Sequence, residues 1–355
     1  MAVVSRLSRA EVQLRNRAKV LAAARAEFAE HGYRDATIDR IAARADLTRG
    51  AVYSNFPGKR ALYFSTLLDA GDSSIPTDAG DFSTLADAGA ARADAGRVAA
   101  RHLSTADGLS TFASAWLDQQ HPGPDVLTEL ADVGTPYAGL LGLNAVLLGL
   151  SLDRLTPGDL GRMIRVSRLA LTLLTGATQL TSAPGFVQRL DVSRACGQLI
   201  DLDLDDTWIP PPTSAPIRPA EEPWSPPSVI DEVQHRPADL DSPGVIAVLG
   251  LNRLSAAEDL VRSARGTITI ALVSSHPDEL GPLARYTTSS LLDCLQQSLP
   301  RVQLVHDESG VLASALGCEV IGDELEYVAA IADGRIHSRA EGFGAAYALA
   351  RAGVR

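Results

Sequence analysis

Residues 37–59 constrain the fold more than any other stretch of this 355-residue chain. The first half, IDRIAARA, places apolar residues on one face of a helix, and a second short helical pattern, TRGAVYSNF, follows after a tight turn. Thr37 and Thr48 stand where a hydroxyl can cap each helix, and Leu47 and Val52 have the spacing of a hydrophobic staple. The stretch therefore predicts a helix-turn-helix.

A longer helix is predicted before this pair. Ser8 and Glu11 have the spacing of a capping box, so the helix should begin at Ser8. Gly32 should end it in a left-handed conformation, with Tyr33 folded back onto the helix. In the turn after the first short helix, Asp46 should adopt a positive φ, which Asp tolerates better than most residues.

Charge separates this N-terminal region from the remainder of the chain. Residues 1–60 contain ten Arg and two Lys against six acidic residues, a net charge of +6, whereas the whole chain carries −11. A basic module on an acidic body is typical of a protein in which one small part binds nucleic acid. With Val52 and Phe56 facing inward, the second short helix should present these residues to a DNA groove: Arg49, Gly50, Tyr53, Ser54 and Asn55.

Residues 12–68 resemble the DNA-binding domain of the TetR family of repressors. The resemblance rests on HGY at 31–33, AT at 36–37, IDRIAARA, LTRGAVYSNF and Lys59. It implies that the third helix enters the major groove, that the protein is a homodimer on a palindromic double-stranded DNA operator, and that a small-molecule effector releases it. The family more often has Gly at the position of Asp46, so this chain places a carboxylate near the DNA.

The resemblance also implies roles for individual residues. Thr37, Tyr53 and Lys59 would hold DNA phosphates. Five residues become candidates for groove contacts: Arg44, Thr48, Arg49, Ser54 and Asn55. For Arg44 and Asn55 a merely solvated position also fits the residue type, and a short helix pair of this kind also occurs as an ordinary core hairpin.

Residues 69–206, which follow the predicted DNA-binding domain at 1–68, predict an all-helical region. This is the position of the family's ligand-binding and dimerisation domain, whose last two helices, here 160–181 and 186–200, would pair with their copies in a dimer. Five side chains are candidates for the effector pocket: His102, Phe112, Trp116, Tyr137 and Asn144. The same residue types commonly fill a helical core, and the isolated histidines predict no metal site.

Residues 207–243 hold ten of the chain's twenty prolines. Such a stretch cannot form a helix or a central strand, and we predict an extended, semi-rigid linker. Trp208 and Trp224 indicate that this linker packs along a surface, because buried or half-buried aromatic rings contribute much apolar contact.

Residues 244–355 predict an α/β domain. VIAVLGL, TITIALVSS, RVQLVHD and EYVAAIAD are typical of buried strands, and helical patterns lie at LSAAEDLVRSAR, 277–297, VLASALG and FGAAYALARAG. HDESGVLASALG and EYVAAIADGRIHSRAEG are similar to the second half of thioredoxin-like domains of the peroxiredoxin kind. The segment directly after VIAVLGL, where that family has its reactive thiol, contains no Cys, so the resemblance implies a redox-dead accessory domain.

The cysteine content and the lack of a targeting signal limit the expected cellular location and class of protein. Cys196, Cys294 and Cys318 are too few and too far apart for a disulfide framework, and no apolar run reaches the length of a membrane span. We therefore expect a cytoplasmic, multidomain transcriptional regulator without cofactor or membrane partner, and not an enzyme. Two other classes stay open: a thiol-dependent redox enzyme or sensor that uses the C-terminal domain, and an interaction protein built on the same helices.

Overall fold

The computed structural model describes the chain in several separate stretches. These stretches are residues 8–71, 104–119, 133–155, 162–180, 183, 185–204, 206–212, 215–295 and 298–353. The chain divides into two compact units. The first unit holds the described part of residues 1–76 together with His276–Tyr286, and the second holds the other helices and a six-stranded sheet.

Four helices form the N-terminal part of the first unit, which we call the head. They are α1 (Arg9–Asp35), α2 (Ile38–Arg44), α3 (Arg49–Tyr53) and α4 (Lys59–Gly71). The predicted capping box at Ser8 is confirmed, because its hydroxyl accepts from the Glu11 amide and the Glu11 carboxylate accepts from the Ser8 amide. Gly32 has φ 69° and interrupts the helical backbone of α1. Tyr33 then stacks on Phe28, with ring centroids 5.9 Å apart, as expected.

The turn between α2 and α3 has the predicted backbone. Asp46 adopts φ 54°, and Leu47 donates its amide to the Ala42 carbonyl at 3.0 Å. Below the turn, Ile41, Val52 and Phe56 are almost fully buried. The short helices are therefore held by their shared core, because helices of five and seven residues are marginal on their own.

Replacing Asp46 by Gly should raise the free energy of unfolding by about 0.5 kcal/mol. The left-handed conformation costs an L-residue about 1 kcal/mol, and Gly removes that strain while adding some entropy to the unfolded chain. Asp46→Ala should lower stability by about 1 kcal/mol. Urea unfolding of the parent and the two variants measures their stability, which should decrease in the order Gly, Asp, Ala at position 46. Equal stability of the Ala variant and the parent would contradict this prediction.

Four further helices form a layer of the second unit. They are α5 (Thr105–Asp118), α6 (Thr135–Asp153), α7 (Arg162–Leu180) and α8 (Arg189–Gln198), followed by a 3₁₀ turn at Leu199–Asp201. Helix α6 is long and apolar enough to cross a membrane by length and composition alone, but 61% of its apolar window is buried inside the structure. Gly149 lets α6 approach α7 closely, since an added Cβ would lie 2.9 Å from the Ile164 backbone. A buried core helix accounts for this composition.

The sheet of the second unit is mixed. Its strands are β1 (Ile217–Pro223), β4 (Gly244–Gly250), β5 (Thr267–Val273), β6 (Gln303–His306), β7 (Glu326–Ala332) and β8 (Arg335–Glu341), in the order β1-β8-β7-β4-β5-β6. Strands β4, β5 and β6 run parallel, whereas β7 and β8 are antiparallel to their neighbours. Two short strands, β2 (Ile230–Asp231) and β3 (Arg236–Pro237), pair separately.

Three helices connect successive strands from β4 to β7: α9 (Ala256–Ser263), α10 (Pro277–Cys294) and α11 (Val311–Ala315). A fourth helix, α12 (Ala345–Ala352), follows β8. Strands β4 and β7 are buried along their whole length, which explains the apolar sequence of β4 and the apolar run that follows Glu326 in β7. The prediction of an α/β region is confirmed, whereas its thioredoxin-like identity stays a prediction.

Part of the predicted linker is an integral strand. Strand β1 pairs with β8 at the edge of the sheet, with its register shifting between Pro219 and Glu222. Prolines are compatible with an edge strand, whose outer amides need no partner. The linker prediction missed this strand because proline content excludes only a central position.

The two tryptophans of that interval pack as expected. Trp224 is 8% exposed, lies in the core on one side of the sheet and donates its indole N–H to the Leu240 carbonyl at 2.8 Å. Trp208 donates to the Asp259 carboxylate at 3.0 Å and meets the ring of Tyr347 edge-on. Both rings therefore fix the proline-rich interval to the α/β part of the second unit.

Candidate nucleic-acid interface

Helix α3 presents its outer side to solvent. The Thr48 hydroxyl accepts from the Ala51 amide at 3.2 Å and so begins the helix where the sequence predicted. Val52 is fully buried, whereas Tyr53 on the opposite side is 45% exposed. At Gly50 an added Cβ would meet only the Thr48 hydroxyl, at 3.9 Å, so the fold itself does not require a glycine there. A close approach of a partner to the helix backbone would require one.

Arg49 is held over this outer surface. Its guanidinium lies 3.3 Å from Asp39 and 5.6 Å from the centroid of the Tyr53 ring. A hydrogen bond to the Tyr53 hydroxyl and the charge of Asp39 raise the pKa of Arg49. The side chain is therefore charged and oriented, with 61% of it still exposed.

Arg44 is turned toward α1 instead of the outer surface. Its guanidinium lies 2.6 Å from Glu30 and 3.4 Å from Glu27, and the bond to Glu30 is the main cause of its raised pKa. Arg40 also reaches Glu27, at 2.6 Å, and the Glu27 carboxylate is only 1% exposed. These arginines hold α2 against α1. Sequence reasoning missed Glu27, although its place beside Phe28 on the apolar face of α1 was a signal.

Ser54 and Asn55 terminate α3. Both side chains donate to the Ala51 carbonyl, Ser54 Oγ at 2.9 Å and Asn55 Nδ2 at 2.8 Å. Arg17 of α1 donates to the Asn55 carbonyl at 3.1 Å and lies over the Phe56 ring at 4.4 Å. Asn55 is therefore half-buried within the head, while Ser54 stays exposed.

The remaining expected phosphate contacts lie at helix N-termini. The Thr37 hydroxyl accepts from the Arg40 amide at 3.3 Å and caps α2. Lys59 begins α4, donates to the Arg34 carbonyl at 3.0 Å and lies 4.5 Å from the centroid of the Tyr33 ring. The positive end of the helix dipole favours an anion at both places.

The structure describes four of the five predicted effector residues. Phe112 and Trp116 are buried against each other, and Asn144 is buried and donates to the Thr287 carbonyl at 2.9 Å. Tyr137 is half-buried, and burial raises its pKa; His102 lies outside the described residues. The cavity beside Phe112 measures about 20 Å³, which is room for a single water molecule.

No metal site is found in the described residues. They contain no group of three or more His, Cys, Asp or Glu side chains placed to hold an ion.

Residues 20–66 match the family model for bacterial regulatory proteins of the tetR family. The head is thus similar to the TetR N-terminal domain. The match covers α2 and α3 and most of α1 and α4. A solved structure of a candidate TetR-family transcriptional regulator from Mesorhizobium loti MAFF303099 shares 15% identity and covers 55% of this chain and 96% of that one, with a TM-score of 0.31. No curated protein matches the chain.

Proposed function

We propose that this protein is a DNA-binding transcriptional regulator whose TetR-like head recognises a palindromic operator. The observation that carries the proposal is the exposed outer side of α3, with Arg49 and Tyr53, on a head that matches the TetR N-terminal model. Thr37 and Lys59 at the starts of α2 and α4 would hold phosphates on either side of the groove contact. The proposed regulator is a cytoplasmic repressor with no catalytic role and no cofactor.

Helix α7 supports the homodimer that such an operator requires. Leu169, Leu173 and Leu180 are 41%, 38% and 47% exposed. Gly176 lies on the same side, with no atom within 4 Å of an added Cβ. The spacing of four, three and four residues puts all of them in one row, which we call the α7 stripe. A second copy of this chain is the occupant that fits, because a twofold axis would place the same row opposite itself.

The proposal includes a small-molecule effector, because TetR regulators, which the head resembles, typically respond to one. Such a molecule would bind the helical layer and favour a dimer whose heads are wrongly spaced for successive major grooves. It can do so only through different affinities for the two dimer states.

The redox alternative is not favoured. Burial raises the pKa of Cys294 and of Cys318 to about 12, and that of Cys196 to about 11. Thiolate is the attacking species in thiol chemistry, so these groups would be almost entirely protonated near neutral pH.

Lys59→Ala should weaken binding to all DNA sequences alike. Loss of one phosphate contact should make the slope of log K, where K is the DNA association constant, against the logarithm of salt concentration shallower by about 0.9. Filter-binding or gel-shift titrations at several salt concentrations, with DNA from upstream of the protein's own gene and with random duplex, measure both quantities.

Lys19→Ala is the matched control for this measurement, since Lys19 is the other lysine of the chain and is exposed on α1. An unchanged slope in Lys59→Ala, or an equal change in the control, would refute the phosphate contact. Equal affinity of the parent for upstream and random DNA would refute sequence-specific regulation.

A further inference from the structure

An acidic segment far along the chain belongs to the same compact unit as the head. This segment, His276–Tyr286, comprises the residue before α10 and the first part of that helix. Leu280, Leu283 and Ala284 are buried, at the spacing of one helix face. Three apolar side chains of the segment are therefore buried, whereas Asp278 stays exposed.

Glu279 pairs with a basic residue at the start of α4. Arg60 Nε donates to Glu279 Oε1 at 2.5 Å, and both side chains are partly exposed. Arg60 follows Lys59, the residue expected to hold a DNA phosphate. A guanidinium binds carboxylate and phosphate oxygens through the same donors. Glu279 therefore holds, in an ion pair, a guanidinium next to Lys59 that is able to bind a phosphate group.

Asp278 brings a second carboxylate close to the end of α3. It lines an open cavity of about 610 Å³ within the first unit. The other lining residues come from α1 and from the end of α3: Gln13, Leu14, Arg17, Tyr53, Ser54, Asn55, Phe56 and Pro57. An exposed carboxylate here repels a phosphate that approaches Tyr53, because like charges at short range disfavour each other.

We propose that Asp278 and Glu279, the acidic pair, form an autoinhibitory contact that competes with the DNA backbone for the head. The inference rests on the proposed DNA-binding function. Glu279 stands in for phosphate at Arg60, and Asp278 adds negative charge beside Tyr53. DNA binding then requires that the Arg60–Glu279 ion pair opens.

Helix α10 links the acidic pair to helices of the second unit. The helix continues to Cys294, and its later residues belong to the second unit. In that unit Asn144 of α6 donates to the Thr287 carbonyl at 2.9 Å, and Gln119, the residue after α5, donates to the Ser290 carbonyl at 2.9 Å. A ligand that repositions α5 or α6 would therefore act on the helix that carries the acidic pair.

Glu279→Gln in the full chain tests the contact. Its affinity for DNA at low salt should rise about two- to fivefold, the range expected for one partly exposed ion pair. The slope of the logarithm of its DNA association constant against the logarithm of salt concentration should become steeper by about 0.9, because Arg60 no longer pairs with Glu279 and can bind a phosphate. Both effects should appear with random duplex DNA and with DNA from upstream of the gene, since phosphate contacts are independent of sequence.

Two further variants separate competition from a structural role. Glu319→Gln removes the same charge from an exposed position in the second unit and should change neither affinity nor slope. In an Arg60→Gln background, Glu279→Gln should lose its effect on the slope, because the two residues act through one contact. Circular dichroism melts confirm that each variant is folded.

The outcomes separate the two proposals. If the parent binds DNA and Glu279→Gln binds with the same or lower affinity and an unchanged slope, autoinhibition is overturned while DNA binding stands. If Glu279→Gln and Glu319→Gln raise affinity equally, the effect is one of net charge and the specific contact is overturned. If no variant binds any duplex, both proposals fail.

Discussion

A Leu173→Glu variant should run as a monomer and bind its operator at least ~10²-fold more weakly than the parent protein. Leu173 lies in the middle of the α7 stripe with 38% of its surface exposed. A carboxylate there would meet its own copy across a twofold axis and would have to be desolvated in an apolar interface. Because the two heads of a dimer bind two half-sites at once, the affinity of the dimer exceeds that of a single head by a factor of about 10²–10⁴. A monomer lacks this factor. Light scattering after size exclusion and gel shifts measure both changes.

The control for this variant is Val320→Glu. Val320 is 76% exposed, lies between α11 and β7, and is not part of the α7 stripe. It should leave mass and operator affinity unchanged. A dimeric Leu173→Glu protein would show that the α7 stripe is not the subunit interface. A parent protein that binds its operator with full affinity as a monomer would contradict the proposed homodimer.

Trp224→Ala should lower the free energy of unfolding by about 3–5 kcal/mol, which is the usual cost of deleting a large buried aromatic ring. The indole packs in the core cluster with Ile246 of β4 and Val305 of β6, and the deletion also leaves the Leu240 carbonyl without its donor. The variant therefore tests whether the proline-rich interval is part of the α/β fold. Circular dichroism in urea measures the loss.

Ile209→Ala provides the comparison within the same interval. Ile209 is 86% exposed, so its truncation should change stability by no more than about 0.5 kcal/mol. If Trp224→Ala were equally mild, residues 207–243 would behave as the separate linker that their proline content predicts.

Local spacing made the head predictable. The Ser8 capping box, the Thr48 cap and the positive φ of Asp46 each depend on residues within a few positions, and each has the predicted geometry. The burial of Val52 and the exposure of Tyr53 also follow from a helix period. This part of the candidate site could be predicted because its determinants lie next to one another in sequence.

Other site residues were predicted by type but not by orientation. Arg44 was expected at the groove, yet it faces Glu30 and the buried Glu27. Asn55 was expected to face outward, yet its amide caps the Ala51 carbonyl. The partner of Arg44 lies on another helix, 14 residues away, and no spacing within α2 encodes it. The partner of Asn55 is the carbonyl four residues earlier, so this contact competes locally with an outward orientation.

Patterns between near neighbours were enough to predict the helix-turn-helix, the basic head and the alternation of strands and helices after residue 244. They could not predict that a proline-rich stretch supplies the edge strand β1, because its partner strand lies more than a hundred residues away. Nor could they predict that Glu279 pairs with Arg60 across 219 residues. Periodicity and capping act between near neighbours, whereas strand pairing and ion pairs join residues that only the folded chain brings together.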